Sequence, residues 1–252
     1  MRDAVRRVVD RPEWRLRARM PDYRRLVRRS MDTIRDWLSH CARPYVAVSG
    51  GKDSTVCLAL AMTLRPEIQA VYFDDEWLFP ETEAYLADIS GLLRLAHPSY
   101  HAPGFTAWDY AEPPTHLPPG AIWTGATSRP VWLAQQGYDG AVIGLRTGEN
   151  MRRRIHIRSR GRLFERVDNG VWQCYPVADW TTADIWTYIA ETGTAYNAAY
   201  DVMESAGIDL ERQRVGPIWT DQAYCGAEIS RQLWPELWRR FVEKHPAAAQ
   251  VG

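Results

Sequence analysis

Residues 49–54 read Ser-Gly-Gly-Lys-Asp-Ser, between the apolar run Tyr45-Val46-Ala47-Val48 and the apolar stretch Thr55-Val56-Cys57-Leu58-Ala59-Leu60. Strand, glycine turn and helix start in that order make an anion site, because the unpaired N–H groups of a helix N-terminus point into the turn. Gly50 and Gly51 let the backbone approach phosphate oxygens, and Ser49 and Ser54 add hydroxyl donors. The pattern predicts nucleotide binding. It is not the P-loop of kinases and GTPases, which needs four residues between its first glycine and its Gly-Lys pair. Here Ser49 directly precedes Gly50-Gly51-Lys52, and Asp53 parts the lysine from Ser54. Asp74 ends a second apolar run, where a carboxylate can accept from a ribose hydroxyl or support a metal; the acids from 74 to 88 equally suit a solvated helix start. Arg146 and Arg152 follow a third run, 141–145, and arginines at a strand end can grip phosphate or sulfate bidentately. For Glu149, an ion pair closing that loop and direct substrate contact are both open.

These segments resemble known motifs. Residues 49–54 are similar to the Ser-Gly-Gly-x-Asp-Ser loop of the ATP pyrophosphatases, which split ATP between its α- and β-phosphates and hold the pyrophosphate on that loop. Residues 74–82, Asp-Asp-Glu-Trp-Leu-Phe-Pro-Glu-Thr, resemble the Asp-Thr-Gly-x-x-Phe-Pro-Glu-Thr segment of the phosphoadenosine phosphosulfate (PAPS) reductase family, with Asp75 and Glu76 in place of Thr-Gly. Gly144, Arg146, Glu149 and Arg152 stand in register with the family's Gly-x-Arg-x-x-Glu-x-x-Arg. Residues 176–186 resemble its Pro-Leu-x-Asp-Trp-Thr-x-x-Asp-Val-Trp, and residues 196–201 its Tyr-Asn-x-Leu-Tyr-Asp. These last two are expected to frame the pocket.

The resemblance implies an adenine nucleotide α-hydrolase-like fold, with ATP and Mg²⁺ as cofactors. It implies catalytic roles for Lys52, Asp53, Arg146 and Arg152. Ser49, Gly50, Gly51, Asp53, Ser54, Thr55, Asp74 and Gly144 are the implied nucleotide ligands, and Asp53 the implied Mg²⁺ ligand. An acceptor oxygen would attack the α-phosphate, giving an adenylate and pyrophosphate. The nucleotide would be ATP or one of the adenosine phosphosulfate type. PAPS reductases use a cysteine in a Glu-Cys-Gly-x-His tail motif; this chain has Tyr224-Cys225-Gly226-Ala227, with neither that glutamate nor the histidine two places after the glycine. The departure points to adenylation, with a separate sulfur-donor protein such as a cysteine desulfurase if sulfur is transferred. A reductase using Cys225 and a non-catalytic nucleotide sensor are the alternatives.

The elements that must position these residues can be read from periodicity. Strand candidates at 45–48, 68–73 and 141–145 alternate with helix candidates at 54–64, 81–94 and 128–137. That rhythm predicts βαβ units, hence an α/β fold with a doubly wound, mainly parallel five-stranded sheet. Ligands then bind at the carboxyl ends of the strands. From Tyr23, the spacing of Val27, Met31, Ile34 and Leu38 predicts an amphipathic helix, and Leu233, Leu237 and Phe241 predict a closing one at 231–245. Thr181 or Asp179 is expected to cap a helix beginning near 182. The expected division is a basic N-terminal helical segment (1–43), a nucleotide-binding α/β domain (44–201) and a C-terminal helical segment (202–252). Residues 98–120 hold six prolines and read as a lid or surface connection. Residues 152–166 read as a basic hairpin, able to meet an anionic second substrate, a nucleic acid or a partner protein.

Composition narrows the class. The 252 residues are 46% hydrophobic, ample for a core, and carry no formal net charge. Residues 1–29 nevertheless hold eleven arginines against four acids, either a solvated face or a nucleic-acid surface. Cys41, Cys57, Cys174 and Cys225 stand far apart, which argues against a zinc ribbon, a compact iron–sulfur motif or a disulfide scaffold. No apolar stretch approaches the ~20 residues of a membrane span, and no signal-peptide core is present, so a cytoplasmic location is expected.

Overall fold

The computed structural model describes residues 6–74, 77–96, 122–123, 129–216, 224–244 and 246. The proline-bearing stretch 98–120, and Asp75 and Glu76, lie outside the described residues. Among the described residues seven strands form one sheet: β1 (Pro44–Val48), β2 (Gln69–Asp74), β3 (Leu93–Ala96), β4 (Ile122–Trp123), β5 (Gly140–Val142), β6 (Leu163–Glu165) and β7 (Trp172–Cys174). Their order is β4-β3-β2-β1-β5-β7-β6, and every neighbouring pair is parallel except β6 with β7. The sheet is thus mainly parallel as expected, with seven strands rather than five. The additions at its edges, β4 and β6, span two and three residues, too short to leave a periodic signal.

Ten helices are described: α1 (Glu13–Ala18), α2 (Pro21–His40), α3 (Lys52–Leu64), α4 (Pro80–Ala87), α5 (Arg129–Gln135), α6 (Met151–Arg160), α7 (Thr182–Thr192), α8 (Ala199–Ser205), α9 (Tyr224–Leu233) and α10 (Pro235–Lys244). Alternate residues of the strands feed two cores, the period-two signature of a sheet covered on both faces. Val46, Val48, Tyr72, Val142 and Cys174 face α2, α3 and α7. Tyr45, Val71, Leu95 and Ala141 face Leu133 and Trp132 of α5. Val8, Trp14, Trp37, Trp234 and Phe241 all belong to the first core, so the N- and C-terminal helices share it with the sheet.

Three local expectations change. The helix foreseen over 81–94 stops at Ala87, and Leu93–Ala96 pairs with β2 as a strand, because a sheet neighbour outweighs local propensity. The basic hairpin at 152–166 is a helix followed by β6. Asn150 caps it by accepting from Arg153 N at 2.8 Å, arginine is a good helix former, and Gly161 at φ +85° ends it. The single closing helix over 231–245 is two, α9 and α10, parted where Pro235 begins the second. Thr181 caps α7 in a reciprocal box with Asp184, at 3.1 and 2.8 Å. Among the described residues no helix is long and apolar enough to cross a membrane.

Candidate active site

The chain leaves β1, builds outward through β2, β3 and β4, then returns to place β5 on β1's other side. The strand order reverses between β1 and β5, so the crevice at their carboxyl ends is the ligand position of a doubly wound sheet. Residues 49–54 leave β1 there. Gly50 has φ +75°, and a Cβ on it would stand 2.8 Å from Thr82 Cγ2, so both conformation and space demand glycine. Gly144, just after β5, lies on the loop itself: a Cβ would come within 2.8 Å of Asp53 C and Ser54 N.

The loop is tied internally and from three distant segments. Ser54 Oγ donates to Gly51 O at 2.9 Å and accepts from Ser49 N at 3.1 Å, and Thr55 Oγ1 donates to Gly51 O at 3.1 Å. Asn197 Nδ2 donates to Gly50 O at 3.2 Å and to Thr82 Oγ1 at 2.8 Å, joining the loop to α4. Tyr200 Oη accepts from Lys52 N at 3.0 Å. Val215 adds a wall, its Cγ1 and O within 4 Å of where side chains on Gly50 and Gly51 would start. Helix geometry leaves the N–H groups of Asp53 and Ser54 without intrahelical acceptors.

Charge gathers on this frame. Lys52 is 3% exposed, and its Nζ sits 3.6 Å from Asp53 Oδ2. Arg146 Nε lies 2.8 Å from Asp53 Oδ1, an ion pair whose angle does not make a hydrogen bond. Glu149 accepts from Arg146 N at 3.0 Å, pairs with Arg153 and reaches Arg214 Nη1 at 3.4 Å. Four cations therefore surround two carboxylates. Burial pushes the Lys52 ammonium pKa down, and the nearby Arg146 and Arg214 add to that against Asp53. Burial also works against the charge of Glu149, but the Arg146 N–H and the Arg153 guanidinium outweigh it and hold the carboxyl below its usual range.

The residues singled out in the sequence separate into groups. Ser49, Gly50, Gly51, Lys52, Asp53, Ser54, Gly144 and Arg146 meet in the crevice, and Thr55 stands just below, its Oγ1 2.9 Å from Tyr85 Oη. Asp74 is buried at the end of β2, where Arg94 Nε meets Oδ2 at 2.5 Å while gripping Glu83 at 2.8 and 2.7 Å. Arg152 is exposed on the first turn of α6, and Arg153 joins the cluster instead. Arg214 was not foreseen; no local pattern marks a residue 65 positions from its partner. Cys225 begins the second position of α9, and its side chain lies outside the described ones.

Residues 43–203 match the model of the phosphoadenosine phosphosulfate reductase domain. Among curated proteins the chain is similar to "Uncharacterized protein YbdN" of Escherichia coli (strain K12), 24% identical over 80% of this chain and 60% of that protein. It is also similar to the phosphoadenosine 5'-phosphosulfate reductase of Serratia proteamaculans (strain 568), 25% identical over 66% of this chain and 69% of that one. A solved PAPS reductase from Candida auris, a phosphate complex, aligns over 69% of this chain and 84% of that one at 13% identity and a TM-score of 0.48. The chain thus spans about three fifths of the first of these relatives. With its domain model matched over more than half its length, this chain belongs to the phosphoadenosine phosphosulfate reductase domain family.

Proposed function

We propose that the chain is an ATP pyrophosphatase of this family, cleaving ATP to pyrophosphate while adenylating a second, anionic substrate. The observation that carries the reading is the excess of positive charge, buried Lys52 and Arg146 with half-buried Arg153 and Arg214 against Asp53 and Glu149, around a glycine cradle at the strand reversal. Such a cluster lacks its counter-charge until phosphates enter. The β- and γ-phosphates rest on residues 49–54, with Lys52 and Arg146 facing the charge that develops on the leaving group. An acceptor oxygen bonds to the α-phosphorus, the Pα–O–Pβ bridge breaks, and its electron pair leaves with pyrophosphate. Asp53 orients Arg146 and Lys52 and would be the carboxylate that holds a Mg²⁺, which would neutralise phosphate charge. Among the described residues no group of three or more His, Cys, Asp or Glu could hold a metal, so most ligands of a Mg²⁺ would be phosphate and water. Arg152, exposed beside Arg153 on the first turn of α6, would meet the entering second substrate, and a sulfur-donor protein would act on the adenylate.

The rival reading is sulfonucleotide reduction through Cys225, favoured by the relatives that carry that name. Purified protein is incubated with Mg²⁺ and ATP, with and without candidate acceptors, and separately with PAPS and a thioredoxin-like reductant. Pyrophosphate release that Lys52→Ala abolishes supports adenylation. Sulfite release from PAPS that Cys225→Ser abolishes overturns it in favour of the reductase. Stoichiometric ATP binding with no pyrophosphate under any condition overturns it in favour of a nucleotide sensor.

A further inference from the structure

We propose that the groove between α1, the start of α2 and the C-terminal end of α7 is a second anion site, taking the phosphates of a single-stranded nucleic acid. The groove has a volume of about 750 Å³, and Arg7, Arg15, Arg19 and Arg24 line it together with Tyr196 and Thr194. Two carboxylates, Asp10 and Glu191, share it, and Glu191 already accepts from Tyr23 Oη at 3.2 Å. Positive charge therefore prevails.

The N-terminal arginines divide into two sets. Arg11 forks onto Glu204 at 2.9 and 2.8 Å, Arg17 holds Asp184 at 2.7 Å, and Arg29 reaches Asp179 at 3.4 Å. These fasten the segment to the rest of the chain. The groove set is tied less: Arg7 lies beside Tyr196 in the lining, and Arg24 Nε donates to Ala18 O at 3.3 Å within the segment itself. Among the described residues no carboxylate lies within ion-pair distance of Arg15, Arg19, Arg24, Arg25 or Arg28. Arg15 and Arg19 stand four apart at the end of α1, as do Arg24 and Arg28 in α2, a spacing at which like charges repel.

The shape of the array selects the ligand. An exposed arginine gives a lone phosphate little, because water and salt screen the pair. A strand of phosphates differs, since each contact releases condensed counterions and the contributions add along the chain. Exposed Arg25 and Arg28 of α2, outside the groove's lining, extend the cations beyond it. Contacts of the 49–54 loop run through Thr82, Asn197, Tyr200 and Val215, none of which lines the groove. The groove is therefore separate from the proposed reaction site.

The full chain is titrated against a labelled single-stranded DNA oligonucleotide by fluorescence anisotropy over a range of salt. Binding is expected to weaken steeply with salt. The triple variant Arg15→Ala, Arg19→Ala, Arg24→Ala, with its circular dichroism unchanged, should lose roughly tenfold in low-salt affinity. Its slope of log K against log salt should flatten by about 2, at ~0.7 per single-strand phosphate contact. Lys52→Ala should leave oligonucleotide binding intact, so a failed pyrophosphatase assay does not bear on this result. The proposal is overturned if the oligonucleotide does not bind at low salt, or if the folded triple variant keeps wild-type affinity and slope. It is equally overturned if only Arg152→Ala with Arg158→Ala on α6 abolishes binding, or if inorganic tripolyphosphate saturates the groove as tightly as the strand.

Discussion

Gly144→Ala tests whether the crevice depends on direct contact between β5's exit and the glycine loop. The φ of Gly144 lies outside the left-handed region, so alanine meets no backbone strain there; the question is space alone. The added methyl would stand 2.8 Å from Asp53 C and Ser54 N and 3.1 Å from Asp53 O. Carbon contacts are comfortable from about 3.5 Å, so the loop and the strand end must part by roughly 0.7 Å. All three obstructing atoms are backbone, with no flexible side chain to absorb the shift. Overpacking of this kind costs about 1–3 kcal/mol. It also displaces the Asp53 carboxylate from Arg146 and turns the Asp53 and Ser54 N–H groups, and misplacement approaching 1 Å lowers catalysis by up to ~10²-fold. Chemical denaturation gives the first number, and the rate of pyrophosphate release from ATP the second. Gly148→Ala is the control, because nothing lies within 4 Å of its Cβ position. A Gly144→Ala protein with the control's denaturation midpoint and undiminished pyrophosphate release would refute the reasoning.

Lys52→Met should raise the denaturation midpoint while weakening ATP binding: burial depresses the lysine pKa, so from its ordinary value of 10.5 downward protonation favours the unfolded state, and methionine removes that penalty. An unchanged or lower midpoint would contradict this. Glu149→Gln should cost on the order of 2 kcal/mol at neutral pH, where the buried carboxylate holds two arginines and a backbone N–H. Because its folded pKa lies below the ordinary 4.5, that contribution is present above 4.5 and fades as pH falls through the depressed value. Denaturation of both proteins from pH 7 downward should therefore converge, and a constant gap would count against the assignment. Asn197→Ala leaves Gly50 O and Thr82 Oγ1 without that donor in a buried place. It should destabilise the protein by about 1–3 kcal/mol, read as a lower melting temperature.

The crevice floor was legible because its residues are neighbours in sequence. A strand, two glycines and a helix start fix where Lys52, Asp53 and Ser54 go, and a second strand exit fixes Gly144 and Arg146. The walls were less so. Arg152 and Arg153 differ by one position, but α6 begins at Met151, and helical phase brings Arg153, four after Glu149, onto the carboxylate while turning Arg152 to solvent. Motif register carries no such phase. Arg214 and Val215 reach the site through a long-range return of the chain, which leaves no periodic trace. The short strands β4 and β6 and the early end of α4 were hidden for a related reason: sheet pairing, not local propensity, decides them.

The ties from Asn197, Tyr200 and Val215 to the glycine loop also bear on how the protein is made. Asn197 bonds Gly50 across 147 positions, so the cradle's floor leaves the ribosome long before its walls exist. At about 5–20 residues per second that delay is roughly 7–30 s. Through that interval the Ser49–Ser54 segment is an unclosed glycine turn, and contacts of such long separation are slow to form even afterwards. Ligand capture therefore belongs to the finished chain: a nucleotide cannot template the folding of the nascent half that carries its own phosphate loop.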